Sequence, residues 1–174
     1  MDGPEGDPAT YLPDLWRFLV DSLGVKSVLD IGCGAGAATR FFRELECFVT
    51  PIDGVDTGLD GLIIHDYTTG PSGIEVDYDL AWVCEVVEHI EVRFLPKLAA
   101  DLAPCKTIAM THAFPGQQGH HHVNCRTQDY WLGFFAGIGF MLDAELTRVA
   151  RGVSAANTNE HNHFLRSGMI LRRA

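Results

Sequence analysis

Apolar residues recur along the chain at two spacings that alternate. Leu12, Leu15, Trp16, Leu19 and Leu23 fall at helical intervals, and Gly24 follows them. This predicts a helix over 12–23, entered at Pro13 and closed by the glycine. Residues 26–31 are a short apolar run that ends in glycines, a first strand. A helix over 37–46 carries Phe41, Phe42 and Leu45 on one side. The β-branched run 47–52 is a second strand, and Pro51 lacks a ladder donor, so the strand is expected to end or bulge there. A Gly/Asp loop over 54–61 leads to a short third strand at 62–65, and the turn Thr68-Thr69-Gly70-Pro71-Ser72-Gly73 follows. Residues 79–84 are almost continuously apolar, as in a central strand covered on both faces.

The second half keeps the alternation. Val92, Leu95, Leu98 and Leu102 predict a helix over 91–102, with Pro96 either kinking it or resetting its start. A fifth strand at 107–111 precedes a polar, Gly- and His-rich stretch over 114–126, whose 13 residues make an unusually long loop. Thr127 caps a helix that buries Trp131, Leu132 and Phe135. Strands are expected at 139–142 and 163–171, with a short helix over 144–151 and an exposed turn over 152–162 between them. Strands alternating with helices predict an α/β fold, a mostly parallel sheet with helices on both faces. One domain spans 1–174, and 1–9 form a flexible lead. In such sheets ligands bind beyond the carboxyl ends of the strands. The glycine loop, Asp53, Asp66, Glu85 and the loop over 112–124 would share that rim.

Charge narrows the partners. Thirteen Lys and Arg stand against 23 Asp and Glu, a formal net charge of −10, which repels a phosphate backbone. The one dense basic stretch, 166–173, reads as a solvated edge strand. DNA is therefore not an expected partner. Five cysteines, an odd number without C-x-x-C spacing, predict free thiols in a reducing compartment and a cytoplasmic protein. The acidic, Pro/Gly-rich start lacks the basic flank and apolar segment of a signal peptide. No run of 18 apolar residues occurs, so no membrane span is expected. The assembly is expected to be a monomer or a homodimer.

Gly32, Gly34 and Gly36, between a strand and a helix, allow a tight turn and close approach to a ligand. The same glycines followed by Ala37 satisfy a nicotinamide-dinucleotide fingerprint. Asp30 separates the two readings. A carboxylate there suits a cationic amino-acid end and opposes a pyrophosphate. Asp53, 23 positions later, could accept both hydroxyls of an adenosine ribose and would serve either cofactor.

The segments VLDIGCGAG at 28–36, VTPIDG at 49–54, HD at 65–66 and YDLAWVCEVVEHI at 78–90 resemble, in order and separation, the class I S-adenosylmethionine-dependent methyltransferases, in particular their small methyltransferase-domain group. The resemblance implies a Rossmann-like seven-stranded sheet of order 3-2-1-4-5-7-6 with its seventh strand antiparallel. It implies S-adenosyl-L-methionine as cofactor, and a short polar loop in place of a large apolar lid suggests a small polar acceptor, methylated on oxygen or nitrogen. Asp30 would help to hold the methionine part, and Gly32, Cys33 and Gly34 would lie beneath the cofactor. Asp53 would bind the ribose, with Asp56 as its rival. Asp66 would accept from the adenine amino group, Tyr67 would pack on the ring, and Glu85 would line the methionine end or the acceptor.

His112, His120, His121 and His122 follow the fifth strand, where an acceptor would enter, and a neutral imidazole is a suitable general base. His121, His122, His112 and Glu85 are accordingly the candidate catalytic residues. No metal ion is expected. Three adjacent histidines cannot easily face one ion, and no carboxylate lies near them in sequence. Glu88 would support a helix start, and His161 and His163 would reach the rim only if the fold returned them. Two other functions are alternatives: a non-catalytic binding module, which would share every cofactor residue, and an NAD-dependent oxidoreductase, which Asp30 and the lack of a second substrate domain disfavour.

Overall fold

A computed structural model describes residues 7–156 and 162–174. The early elements are α1 (Pro13–Leu23), β1 (Ser27–Ile31), α2 (Ala37–Glu44), β2 (Phe48–Asp53), β3 (Ile63–Ile64) and β4 (Tyr78–Val83). They are followed by α3 (Leu95–Leu102), β5 (Cys105–Met110), α4 (Gln128–Gly137), β6 (Phe140–Leu142), α5 (Ala144–Ser154), α6 (His163–Ser167) and β7 (Met169–Arg173). The seven strands form one sheet of order β3-β2-β1-β4-β5-β7-β6. β1 to β5 run parallel, and β7 lies antiparallel between β5 and β6. Class, order and direction agree with the expectation from the sequence.

Each strand sends alternate side chains to opposite faces. Leu80 and Trp82 of β4 join Val28, Ala109 and Ile170 beneath α1, α2 and α5. Ala81 and Val83 join Leu29, Ile31, Ile108 and Met110 beneath α3 and α4. Trp82 is stacked on Phe164 at 5.8 Å and meets Trp16 edge-on at 6.0 Å. At the amino ends of β1, β4 and β5, one carboxylate joins the strands. Asp79 accepts from the Lys26 and Ser27 amides at 2.9 and 3.2 Å and pairs with Lys106 at 2.7 Å. Among the described residues no helix is long and apolar enough to cross a membrane.

Three local expectations change. β2 neither stops nor bulges at Pro51, which stays in register opposite Asp30. The carbonyl of Ile52 faces β1 and that of Asp53 faces β3, so Pro51 turns its missing N–H toward β3, which begins only at Ile63 opposite Ile52. Pro96 falls in the first turn of α3, where no amide is needed, so the helix starts at Leu95 after a 3-10 turn instead of kinking. The stretch 163–167 is helical, not extended. Asn162 caps it by accepting from the Leu165 amide, and Phe164 and Ser167, one turn apart, point inward. Of the expected lead, residues 1–6 lie outside the described residues, and Pro8–Thr10 form a 3-10 turn capped by Asp7. His161 also lies outside the described residues.

Candidate functional site

The carboxyl ends of β1 to β5 gather the polar residues singled out above. After β1 the chain turns sharply, with Gly32 and Gly34 at φ 72° and 52°, where a Cβ is strained. The amides of Gly32 and Cys33 both donate to the Ile52 carbonyl, at 2.8 and 3.0 Å, pinning the turn to β2. A Cβ on Gly32 would strike Val86, whereas one on Gly34 would meet nothing within 4 Å. The floor is therefore closed below Gly32 and open at Gly34. Asp30 lies beneath the turn, 1% exposed, and accepts from the Thr39 hydroxyl at 2.5 Å. Burial pushes its pKa up to about 6. The Cys33 thiol is buried beside it, and burial, with Asp30 and Asp53 behind it, pushes that pKa up to about 12.

Asp53 ends β2 and faces the turn. One oxygen accepts from the Gly34 amide at 2.8 Å and the other from Val55 at 3.0 Å. Its rival Asp56 is exposed and accepts from the Gly58 amide within its own loop. Asp66 is exposed beyond β3, and the Thr68 amide, donating at 2.7 Å, holds its carboxyl below the ordinary range. Tyr67 is turned into the core. It is 9% exposed, and its hydroxyl donates to Asp101 of α3 at 2.9 Å.

Glu85 follows β4 in a left-handed conformation, φ 55°, and is half-buried. The Thr111 hydroxyl lies 2.8 Å from one Glu85 oxygen, and His163 Nδ1 lies 3.2 Å from the other. His163 Nε2 in turn lies 3.1 Å from Asp7. The fold thus returns His163 to the rim and sets it between two carboxylates.

His112, just past β5, is 1% exposed against Phe114 and Trp131. Its Nδ1 lies 3.3 Å from the Ala113 carbonyl, and its Nε2 has no hydrogen-bond partner among the described residues. Burial holds its pKa below the usual imidazole value, so the ring is neutral near pH 7. The loop that follows is stapled to the turn after β4, because the Val123 and Asn124 amides both donate to the Glu88 carbonyl, at 2.9 and 3.0 Å. Asn124 adds a side-chain bond to Val87. His120 and His121 are exposed, and His122 is partly buried, its ring 5.1 Å from that of His89. Glu88 is fully buried and its two oxygens lack hydrogen-bond partners among the described residues. Burial, and after it Glu85, push its pKa up to about 8. One potential ligand atom from each of Glu88, His89 and His122 lies within 4.8 Å of the others. Cys125, with Sγ 3.6 Å from His122 Nδ1, is the partly exposed cysteine, and Cys33, Cys47, Cys84 and Cys105 are buried.

Sequence reasoning did not foresee the meeting of Glu88 with His122, or His163 between Glu85 and Asp7. Both join segments far apart in the chain, and no spacing rule signals such a contact.

No family model matches the chain, and no curated protein matches it in sequence. Solved structures do match. A SAM-dependent methyltransferase from Archaeoglobus fulgidus superposes with a TM-score of 0.64 at 17% identity, over 97% of this chain and 95% of that one. The 1,6-didemethyltoxoflavin-N1-methyltransferase of Burkholderia thailandensis, solved with 1,6-didemethyltoxoflavin and S-adenosylhomocysteine, gives 0.63 at 13% identity, over 94% and 79%. LaPhzM gives 0.57 at 16% identity, over 95% of this chain, which spans only 56% of that protein. The sheet order, the glycine turn after β1 and these superpositions together establish that the chain has the fold of the class I S-adenosylmethionine-dependent methyltransferases.

Proposed function

We propose that the chain binds S-adenosylmethionine across this rim and directs its methyl group to a small polar acceptor, on oxygen or nitrogen. The observation that carries the reading is the sequence of tips on adjacent strands. Asp66, Asp53, the Gly34 floor and Glu85 follow the order β3-β2-β1-β4. The open space at Gly34, which a Cβ would partly fill, suits a ligand lying against the turn. Gly32, Cys33 and Gly34 supply that floor through their backbone, Asp53 takes the ribose and Asp66 the adenine amino group. Tyr67, braced on Asp101, supports the adenine end from below. Asp30 supplies negative charge beneath the amino-acid end, and Glu85 lines that end toward the acceptor. The fold-mate from Burkholderia thailandensis, described with S-adenosylhomocysteine and 1,6-didemethyltoxoflavin, supports the same cofactor.

S-adenosylmethionine, when bound, supplies a methyl group already activated on a sulfonium. The chain therefore has to align the acceptor and manage its proton. Of the candidate bases His112, His121 and His122, His112 is the one held neutral and in a single tautomer, and its buried Nε2 must be uncovered before an acceptor reaches it. The adjacent carbonyl of Ala113 assigns the proton to Nδ1, and the neutral ring keeps an Nε2 lone pair with no hydrogen-bond partner among the described residues.

Calorimetric titration with S-adenosylmethionine, S-adenosylhomocysteine and NAD tests the cofactor. The first two are expected to bind and NAD is not, and heat with NAD alone would overturn the proposal. Asp53→Ala should weaken S-adenosylmethionine about 10- to 100-fold, the loss of hydrogen bonds to a charged acceptor.

A further inference from the structure

The turn after β4 and the histidine loop hold donors that the methyl-transfer proposal leaves unused. Glu88 is fully buried, and a carboxyl taken out of water without a partner is costly to bury. Its neighbours are the Glu85 carboxyl, which with burial favours the protonated form of Glu88, and two imidazoles. Both rings present Nδ1 to a backbone carbonyl, His89 to His121 at 3.3 Å and His122 to Gln117 at 3.1 Å. A carbonyl only accepts, so Nδ1 carries the proton in each ring and Nε2 keeps the lone pair. An imidazole N–H donated to a backbone carbonyl is the outer-shell arrangement that orients metal-bound histidine.

The donors are also held in place. The paired bonds from Val123 and Asn124 to the Glu88 carbonyl fix the loop carrying His122 against the turn carrying Glu88 and His89. One potential ligand atom from each of the three side chains lies within 4.8 Å of the others, and bonds of about 2.0–2.2 Å to one ion would draw them closer together. This meeting supplies the carboxylate that the run of histidines lacks in sequence.

We propose that the Glu88 carboxylate and the Nε2 atoms of His89 and His122 bind one divalent transition-metal ion of the zinc class. Two imidazoles with one carboxylate suit Zn²⁺, Co²⁺ or Mn²⁺, whereas Mg²⁺ and Ca²⁺ favour sets of oxygen ligands. Three protein ligands leave positions for water or for an acceptor oxygen, which ionises more readily when metal-bound. That last role rests on the methyl-transfer proposal, but binding of the ion does not.

The test uses the full chain, freed of metal with a chelator and then titrated with Co²⁺ alone while visible absorption is followed. One equivalent is expected to bind with ligand-field bands that Zn²⁺ displaces. His122→Ala should weaken Co²⁺ by about tenfold or more, a loss that even outer-shell partners of metal sites produce. Glu88→Gln should do the same. Its buried position makes refolding a concern, so His122→Ala, in a partly exposed loop, is the deciding variant. His120→Ala, on an exposed ring outside the cluster, should leave the titration unchanged. No uptake of Co²⁺ or Zn²⁺, equal affinity in His122→Ala, or a response to Mg²⁺ or Ca²⁺ alone would each overturn the site. No methyl donor is present in this titration, so its failure is distinct from a failure of cofactor binding.

Discussion

Asp30 illustrates the conflict between stability and function at a single residue. Its carboxyl sits beneath the glycine turn with Thr39 donating to it, and burial raises its pKa from 3.8 to about 6. The folded chain therefore binds the extra proton between about pH 4 and 6, where the unfolded chain has released it. By linkage this contribution favours folding below the window and is lost as pH rises through it, on the order of 3 kcal/mol. Asp30→Asn keeps a hydrogen-bond acceptor for Thr39 and removes the charge. Denaturant unfolding at pH 7 should show it more stable by about 1–2 kcal/mol, with the wild-type difference vanishing near pH 4. The same change should weaken S-adenosylmethionine. The sequence motif located Asp30, but its enclosure followed only from the packing of α2 over the turn. Tyr67 likewise was located by its motif, while the bond from its hydroxyl to Asp101 followed only from the packing of α3.

Among the elements, those of useful length were readable from periodicity, because a full turn or two of buried positions repeats. β4 and α1 are the clearest instances. α6 was not readable, since five residues present only Phe164 and Ser167 inward, and two positions fit a strand nearly as well. Pro51 misled for a different reason. Its missing donor matters only on the side where a neighbour needs it, and that depends on where β3 begins. Thr127 was readable as a cap, and its hydroxyl accepts from the Tyr130 amide at 3.4 Å to start α4 directly after the histidine loop. Thr127→Ala should cost about 1 kcal/mol in thermal or denaturant unfolding and leave cofactor affinity unchanged.

Across the whole molecule the two ends of the sheet are treated differently. At the amino end Asp79 is satisfied by two amides and Lys106, so its charge is spent on tying β1, β4 and β5 together. At the carboxyl end Asp53, Asp66 and Glu85 lie without a lysine or arginine partner in an ion pair among the described residues. Asp79→Ala should lower unfolding stability by about 2 kcal/mol, the cost of hydrogen bonds to a charged acceptor. Calorimetry should find its S-adenosylmethionine affinity intact. The rim as a set of strand ends was legible from the order of the motifs, whereas the contacts of Glu88 with His122 and of His163 with Glu85 depend on how loops fold back. The distribution of the thiols has a practical use. Four of the five cysteines are shut in the interior, and Cys125 alone is partly open, beside His122. A maleimide dye added to the unmodified chain would attach there first, making a fluorescent reporter of whether the histidine loop opens when ligands arrive.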